Sequence, residues 1–273
     1  MLLVTGSNGQ LGTELKALLP DAIFADIADL DITELEQVKA FVSKHNIDTI
    51  INCAAYTAVD KAESDVELCT KINVLGIENL AKSGAKIVHI STDYVFDGTG
   101  HKPYLSTDMA SPQSVYGATK LAGENALFEN AETAIVIRTA WLYSTYGNNF
   151  LKTMMRLGKE RDSLNVVADQ VGSPTYAGDL AKAIVDILPQ VEDGKRAIYH
   201  YTNDGVASWY DFALEIMEQL CLDCKISPIA SFEYPTPAKR PFYSILDKSE
   251  IKRDFNIKIP HWKESLKKCL SQF

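Results

Sequence analysis

Tyr116 and Lys120 stand four residues apart in the segment Ser114-Val-Tyr-Gly-Ala-Thr-Lys120. On a helix, positions i and i+4 share one face, so this phenol and ammonium would be neighbours. A free tyrosine has a pKa near 10 and is a poor acid–base group at neutrality. An ammonium at about 4 Å, in an effective dielectric of about 20, is worth about 4 kcal/mol. At about 1.4 kcal/mol per unit, the phenol would fall by roughly 3 units, into the range suited to proton transfer at physiological pH. The bland alternative is a surface lysine beside a packing tyrosine. Ser91-Thr92-Asp93-Tyr94-Val95-Phe96 follows an apolar run, at the carboxyl end of a strand, where open α/β sheets bind ligands.

A second candidate site opens the chain. The apolar run Leu2–Thr5 leads directly into Gly6-Ser-Asn-Gly9-Gln-Leu-Gly12, and a helical pattern follows. Glycines permit a tight turn and let backbone N–H groups approach a pyrophosphate, with the helix N-terminus adding partial positive charge. The spacing is GxxGxxG rather than GxGxxG, and its place between strand and helix points to a dinucleotide. The alternative is a plain βα turn. Asp26, 14 residues beyond Gly12, suits the adenine ribose hydroxyls. A carboxylate there favours NADH over NADPH, because a 2′-phosphate would face a like charge. A capping or turn aspartate is the other reading. Asp31-Ile32-Thr33 either lines the adenine or caps a helix, since Thr33 and Glu36 have the capping-box spacing. The donors of Lys120 would then reach the nicotinamide ribose.

The surrounding elements must bring these two sites together. Short apolar runs, Leu2–Thr5, Ala22–Ala25, Thr49–Cys53, Lys86–Ile90, Ala134–Arg138, Leu164–Val167 and Ala197–Tyr201, read as strands buried on both faces. Helical patterns lie between them at Gln10–Leu19, Thr33–His45, Asp65–Ser83, Val115–Asn130, Phe150–Gly158 and Gly178–Leu188. Strict alternation predicts a Rossmann-type doubly wound parallel sheet, with its ligand crevice at the carboxyl ends of the strands. The last third departs from this pattern. Pro228, Pro235, Pro237, Pro241 and Pro260 forbid long helices there and predict a small C-terminal lobe. Residues 1–140 read as the dinucleotide-binding core. Residues 141–273 read as the remaining sheet elements interleaved with the lobe, mainly 141–165 and 222–273. Helical patterns at Trp209–Leu220 and Trp262–Leu270 complete the chain, the second with a solvated face of Lys263, Lys267 and Lys268.

Composition excludes other classes. The 273 residues are 46% hydrophobic and 23% charged, which fits one or two folded domains. The net charge of −9 makes the chain a poor general binder of nucleic acid, though local donors can still hold a small anion. No run of 18 apolar residues predicts a membrane span, and the first residues do not read as a signal peptide. Five scattered cysteines fit a reducing cytosol, hence a cytoplasmic protein. Cys221 and Cys224 have CxxC spacing but close a helical pattern, whereas a redox pair opens one. His89 and His200 read as core histidines, and no cluster of His, Cys, Asp and Glu reads as a metal site.

The glycine loop, the Ser/Thr cluster and the Tyr–Lys pair together resemble the extended, sugar-nucleotide branch of the short-chain dehydrogenase/reductase superfamily. Further segments sharpen the likeness: Asn52-Cys-Ala-Ala-Tyr-Thr-Ala-Val-Asp-Lys-Ala-Glu63, Ser91-Thr-Asp-Tyr-Val-Phe-Asp-Gly98, Arg138-Thr-Ala-Trp-Leu-Tyr143, Gly147-Asn-Asn-Phe150, Asp169-Gln170, Ser173-Pro-Thr175 and Tyr234-Pro-Thr-Pro-Ala-Lys-Arg-Pro241. With them, nearly the whole chain is similar to the dTDP-4-dehydrorhamnose reductase family. The resemblance implies NAD(P)H-dependent reduction of the 4-keto group of dTDP-4-dehydro-L-rhamnose to dTDP-L-rhamnose. It implies Tyr116 as the catalytic acid, Lys120 as its partner and ribose ligand, and Thr92 as hydrogen-bond donor to the substrate oxygen. It also implies cofactor contacts at Gln10, Leu11, Asp26, Asp31, Ile32, Ala54, Ala55 and Tyr56, and substrate contacts at Asp93 and Trp141. Asn149 and Arg240 look placed for the nucleotide-sugar, an arginine suiting a diphosphate. Some members are described with Mg2+ at a dimer interface, but its acidic ligands do not map onto this chain, which the resemblance leaves as monomer or homodimer. An epimerase would share the loop, the tyrosine and the lysine. A 4,6-dehydratase commonly has an Asp-Glu pair where Asp93 is followed by Tyr94. A cofactor-binding regulatory subunit is the non-enzymatic alternative, and the presence of Tyr116, Lys120 and Thr92 argues for chemistry.

Overall fold

The computed structural model describes residues 1–273. The first half runs β1 (Leu2–Thr5), α1 (Gln10–Leu18), β2 (Ile23–Ala25), α2 (Leu35–His45), β3 (Thr49–Asn52), α3 (Val59–Ala62), α4 (Val66–Thr70), α5 (Gly76–Ala81), β4 (Lys86–Thr92), α6 (Val115–Asn130) and β5 (Ala134–Thr139). There follow β6 (Leu142–Tyr143), α7 (Phe150–Glu160), β7 (Ser163–Val167), β8 (Val171–Gly172), β9 (Thr175–Tyr176), α8 (Ala177–Ile187) and β10 (Arg196–His200). The chain ends with β11 (Ala207–Ser208), α9 (Trp209–Gln219), β12 (Lys225–Ile229), α10 (Ser249–Phe255) and α11 (Trp262–Leu270).

Six strands form one parallel sheet in the order β10-β5-β4-β3-β1-β2. Side chains alternate across it, because successive residues of a strand point to opposite faces. Leu3, Ile50, Ile87 and Val136 pack on one face with Val38, Ile77, Leu80 and Leu127 of the helices. Val4, Ile51, Val88 and Ile135 pack on the other with Leu15, Leu180, Ile184 and Phe255. Both faces are therefore covered, as the expected doubly wound fold requires. The chain leaves β1 for β2 on one side and then crosses back to β3 on the other. That reversal opens a crevice at the carboxyl ends of β1 and β3.

Two expectations are corrected. Leu164–Val167 does not join the sheet: within β7 it pairs in parallel with β12, Ser163 opposite Lys225 through Val167 opposite Ile229. A short apolar run looks the same in either place, and Pro228, lacking an N–H, suits this two-stranded edge. The pair lies over a third apolar cluster that includes Tyr143, Leu151, Phe212, Ile216, Trp262 and Leu266, so α9 packs there too. The helix expected over Asp65–Ser83 is interrupted by a π-turn at Lys71–Leu75. Asn73 at its centre turns inward, accepting from the Tyr56 N–H and donating to Thr119 Oγ1. No helix is long and apolar enough to cross a membrane.

Candidate active site

A cavity of about 820 Å³ occupies the crevice and brings both sequence-identified sites together. Its floor is the glycine turn. Gly6 has φ +64°, and a Cβ there would lie 2.5 Å from the Ala54 nitrogen. A Cβ on Gly12 would lie 2.4 Å from the Gly6 carbonyl oxygen. Only glycine fits either place, so backbone is exposed where a phosphate would rest. Asp26 holds the turn as well as facing the cavity: its carboxylate accepts from the Asn8 N–H (2.9 Å) and the Ile27 N–H (2.8 Å). Gly9, Gln10, Leu11, Asp31, Ile32, Ala54 and Ala55 line the same space. The Thr33–Glu36 capping box does not form, since α2 begins at Leu35 without a side-chain cap. Instead Asp31 accepts from the Thr33 N–H and hydroxyl, and the Thr33 hydroxyl chiefly holds that carboxyl below its ordinary range.

Thr92, Asp93, Tyr116 and Lys120 line the opposite end. Ser114 caps α6 by accepting from the Gly117 N–H at 3.1 Å. A Cβ on Gly117 would come within 2.2 Å of the Tyr94 carbonyl oxygen, so glycine lets α6 lie against the segment after β4. Lys120 is 2% exposed. Its Nζ donates to the Ile90 carbonyl (2.7 Å) and meets His89 Nε2 at 3.2 Å. Burial brings its pKa down to about 8, against the opposing charge of Glu124.

Lys120 is thus spent on β4 in the structure, and the lowering of the tyrosine expected from it is not among the influences on Tyr116. Burial raises Tyr116 above its ordinary value and the Asp93 charge adds to this, while a hydrogen bond with Thr92 opposes both. The phenol is protonated at neutrality and can still give its proton to an alkoxide, the stronger base, but the raised pKa makes it a weaker acid for that transfer. Asp93 is buried, accepts from Thr92 Oγ1 at 3.0 Å and leaves its Oδ2 without a partner. Burial lifts its carboxyl to about 6. Behind this group lies a buried ion pair that sequence reasoning did not single out. Arg138 Nε and Nη2 donate to the two oxygens of Glu124 at 2.9 and 2.6 Å, and Ser91 Oγ donates to the same carboxylate.

On the lobe side Trp141 lines the cavity at φ +51°, an outlier for a bulky residue. Its ring is stacked on Trp209 with centroids 3.5 Å apart, and Phe150 packs 4.7 Å from Trp209. A Cβ on Gly172 would lie 2.7 Å from the Trp141 ring, so the glycine makes room for the indole. Arg240 reaches the cavity, yet its Nη1 and Nη2 already donate to the two Asp60 oxygens at 2.7 and 2.8 Å. Trp209 and Gln170 also line the space. Only the Ser208-to-Asp211 capping box marks the start of α9 in sequence, and it says nothing of a cavity.

Two residues implied by resemblance lie elsewhere. Asn149 caps α7, accepting from the Lys152 N–H and donating to Gln10 Oε1 and the Ser144 carbonyl, while its neighbours Gly147 and Asn148 face the cavity. Tyr56 is buried away from it, its hydroxyl donating to Asp65. His200 is also buried, with Nδ1 at 3.2 Å from the Tyr104 carbonyl. Within the single chain no group of three or more His, Cys, Asp or Glu side chains converges.

A family profile described as RmlD substrate binding domain matches residues 1–273. The chain is 41% identical over 284 residues to a dTDP-4-dehydrorhamnose reductase of Aggregatibacter actinomycetemcomitans, covering 97% of each. A solved dTDP-4-dehydrorhamnose reductase from Clostridium acetobutylicum is 44% identical, with TM-score 0.95 over 99% of this chain and 98% of that one. Another, from Bacillus anthracis in complex with NADP, is 40% identical, with TM-score 0.94 over 100% and 99%. With its glycine cradle and its Thr92, Tyr116 and Lys120 facing one cavity, the chain belongs to the dTDP-4-dehydrorhamnose reductase family.

Proposed function

We propose that this protein reduces the 4-keto group of dTDP-4-dehydro-L-rhamnose to give dTDP-L-rhamnose, with NADPH or NADH as reductant. The observation that carries the reading is the convergence of a phosphate-sized backbone cradle and a protonated phenol on one cavity. The cradle fits a dinucleotide because its glycines leave no side chain above the α1 N-terminus. The bound reduced nicotinamide supplies the hydride. The protein does the rest. Asp26 faces the adenine ribose, and Lys120 directs its free N–H into the cavity. Tyr116 gives its proton to the oxygen of the former carbonyl as charge develops there. Thr92 turns the single hydroxyl hydrogen that it gives to Asp93 in the structure toward the same oxygen. The Trp141–Trp209 stack and Arg240 hold the sugar and diphosphate, between the sheet and a lobe built from 141–165, α9 and 222–273. Reduced cofactor mixed with protein and this substrate should lose its nicotinamide absorbance, and no oxidation with either cofactor rules the reading out.

Two variants probe the walls. Asp26→Ser removes the like charge facing a 2′-phosphate, so the ratio of kcat/KM for NADPH over NADH should rise about tenfold, matching about 1.4 kcal/mol. The test is the paired steady-state rates, and an unchanged ratio would show that Asp26 only holds the turn. Asp60→Asn breaks the bidentate pair that fixes Arg240. Losing about 1 kcal/mol of positioning should raise KM for the nucleotide-sugar about fivefold and leave KM for the cofactor unchanged. Equal changes in both constants would refute a substrate role for Arg240.

A further inference from the structure

His89 sits in the middle of β4, fully buried, and the reduction derived above gives it no task. It read as packing in the sequence. In the structure its Nε2 stands 3.2 Å from Lys120 Nζ, and its Nδ1 stands 2.9 Å from the Asn52 side-chain amide. The other end of that amide meets Thr5 Oγ1 at 2.5 Å. A buried polar line therefore crosses from β1 through β3 and β4 to α6, directly beneath the cavity.

We propose that His89 is a positioning residue for Lys120, its bare Nε2 accepting a hydrogen bond from the lysine ammonium and fixing the remaining N–H toward the cavity. This rests on Lys120 working in the active centre. An ammonium has three N–H donors and no lone pair, so every neighbour must accept from it. The Ile90 carbonyl takes one, at 2.7 Å, and His89 takes the second. The third is left for the ligand. In the structure Asn52 Nδ2 faces Nδ1 and Asn52 Oδ1 accepts from Thr5. With Nε2 accepting from the ammonium, the single ring hydrogen belongs on Nδ1, which requires the Asn52 amide to be turned over, its two ends being nearly isosteric. The ring stays neutral: burial, and then the Lys120 charge, hold its pKa well below the ordinary value.

The groups facing Lys120 come from four elements or their ends: Glu124 on α6, Cys53 after β3, Cys69 on α4 and His89 on β4. Glu124 is committed to Arg138 and Ser91. Burial pushes the Cys53 thiol up to about 12, so it is uncharged at neutrality, and burial likewise raises Cys69. The ammonium is therefore sustained by the Glu124 charge and, at hydrogen-bond range, by two acceptors. Its pKa, near 8, lies just above the working pH, so losing one acceptor carries it through neutrality.

The test compares His89→Leu and His89→Gln with the wild-type enzyme. In His89→Leu the alkaline limb of kcat/KM should move about one pH unit lower, and KM for NADPH should rise roughly tenfold at pH 7.5. In His89→Gln, whose amide oxygen can accept, most of both losses should return. A limb that stays in place in a folded His89→Leu, or equal losses in both variants, would overturn the proposal. Should His89→Leu not fold, 15N NMR of the wild-type imidazole at pH 7 decides: hydrogen on Nδ1 supports it, and hydrogen on Nε2 overturns it. A wild-type protein with no turnover would sink the reductase reading, whereas an active one with an unmoved limb sinks this proposal alone.

Discussion

Tyr116→Phe should lower kcat by about 10³, at the upper middle of the range for losing a positioned general acid. The variant keeps the ring and its edge-on packing with Tyr94, whose centroid is 5.4 Å away, so the cavity keeps its shape. Cofactor affinity should therefore stay within about twofold of wild type, because uniform binding is untouched. What goes is the phenol proton that stands beside Thr92 at the sugar end of the cavity. Thr92 is too weak an acid to replace it. Asp93 is the strongest acid left there, with a carboxyl lifted to about 6 by burial and an oxygen without a partner. It is protonated below that value and ionised above it. Residual turnover in Tyr116→Phe should then climb as pH falls from about 7 to about 5.5, the opposite of a group that must be ionised to act. Single-turnover rates across that range check both claims, and wild-type rates in the variant would show that another group supplies the proton.

The second large effect concerns stability. Arg138→Met should destabilise the protein by about 3–5 kcal/mol, since it leaves the Glu124 carboxylate buried with no cation against it. The pair is 3% and 1% exposed, so water cannot replace the guanidinium. Arg138 also lies over the Phe96 ring at 5.1 Å, and methionine gives up that cation–π attraction. The melting temperature should fall on the order of 10 °C, read by calorimetry or circular dichroism. Adding Glu124→Gln should return much of the stability, because the uncompensated charge is the main cost. If the single and double variants melt together, the cost comes from poorer packing instead.

The sheet was legible because strands covered on both faces are apolar almost throughout, and a run such as Ala134–Arg138, apolar up to its last residue, suits a buried strand at that length. The same argument misplaced Leu164–Val167, since a short apolar run carries no mark of which sheet it joins. The glycine turn was legible because backbone approach admits no side chain. The spacing of Tyr116 and Lys120 put both on one helix face, and both line the cavity, yet spacing alone did not say where the ammonium points. A lysine stem reaches about as far as the neighbouring strand, and the Ile90 carbonyl and His89 hold it there. Asn149 and Tyr56 sit just behind the cavity wall, because a motif marks a neighbourhood: Gly147 and Asn148 line the cavity while Asn149 caps a helix. Trp209, Asp60 and Glu124 act through partners distant in the chain, and a single sequence carries no signal for such pairings.

The edge strand β10 lies against β5 through five residue pairs, Arg196–Ala134 to His200–Arg138, although a long stretch of chain separates Thr139 from Arg196 and much of it builds the third apolar cluster. The polypeptide thus leaves the sheet, lays down half of its neighbour, returns to finish the edge and departs again. No single cut divides the two. A fragment ending near residue 140 would bare one whole side of β5 as an adhesive ribbon, and a foreign C-terminal half could not be grafted without also supplying that missing edge. Specificity in such a molecule can be revised by editing the loops that overhang the crevice, but not by exchanging one half for another.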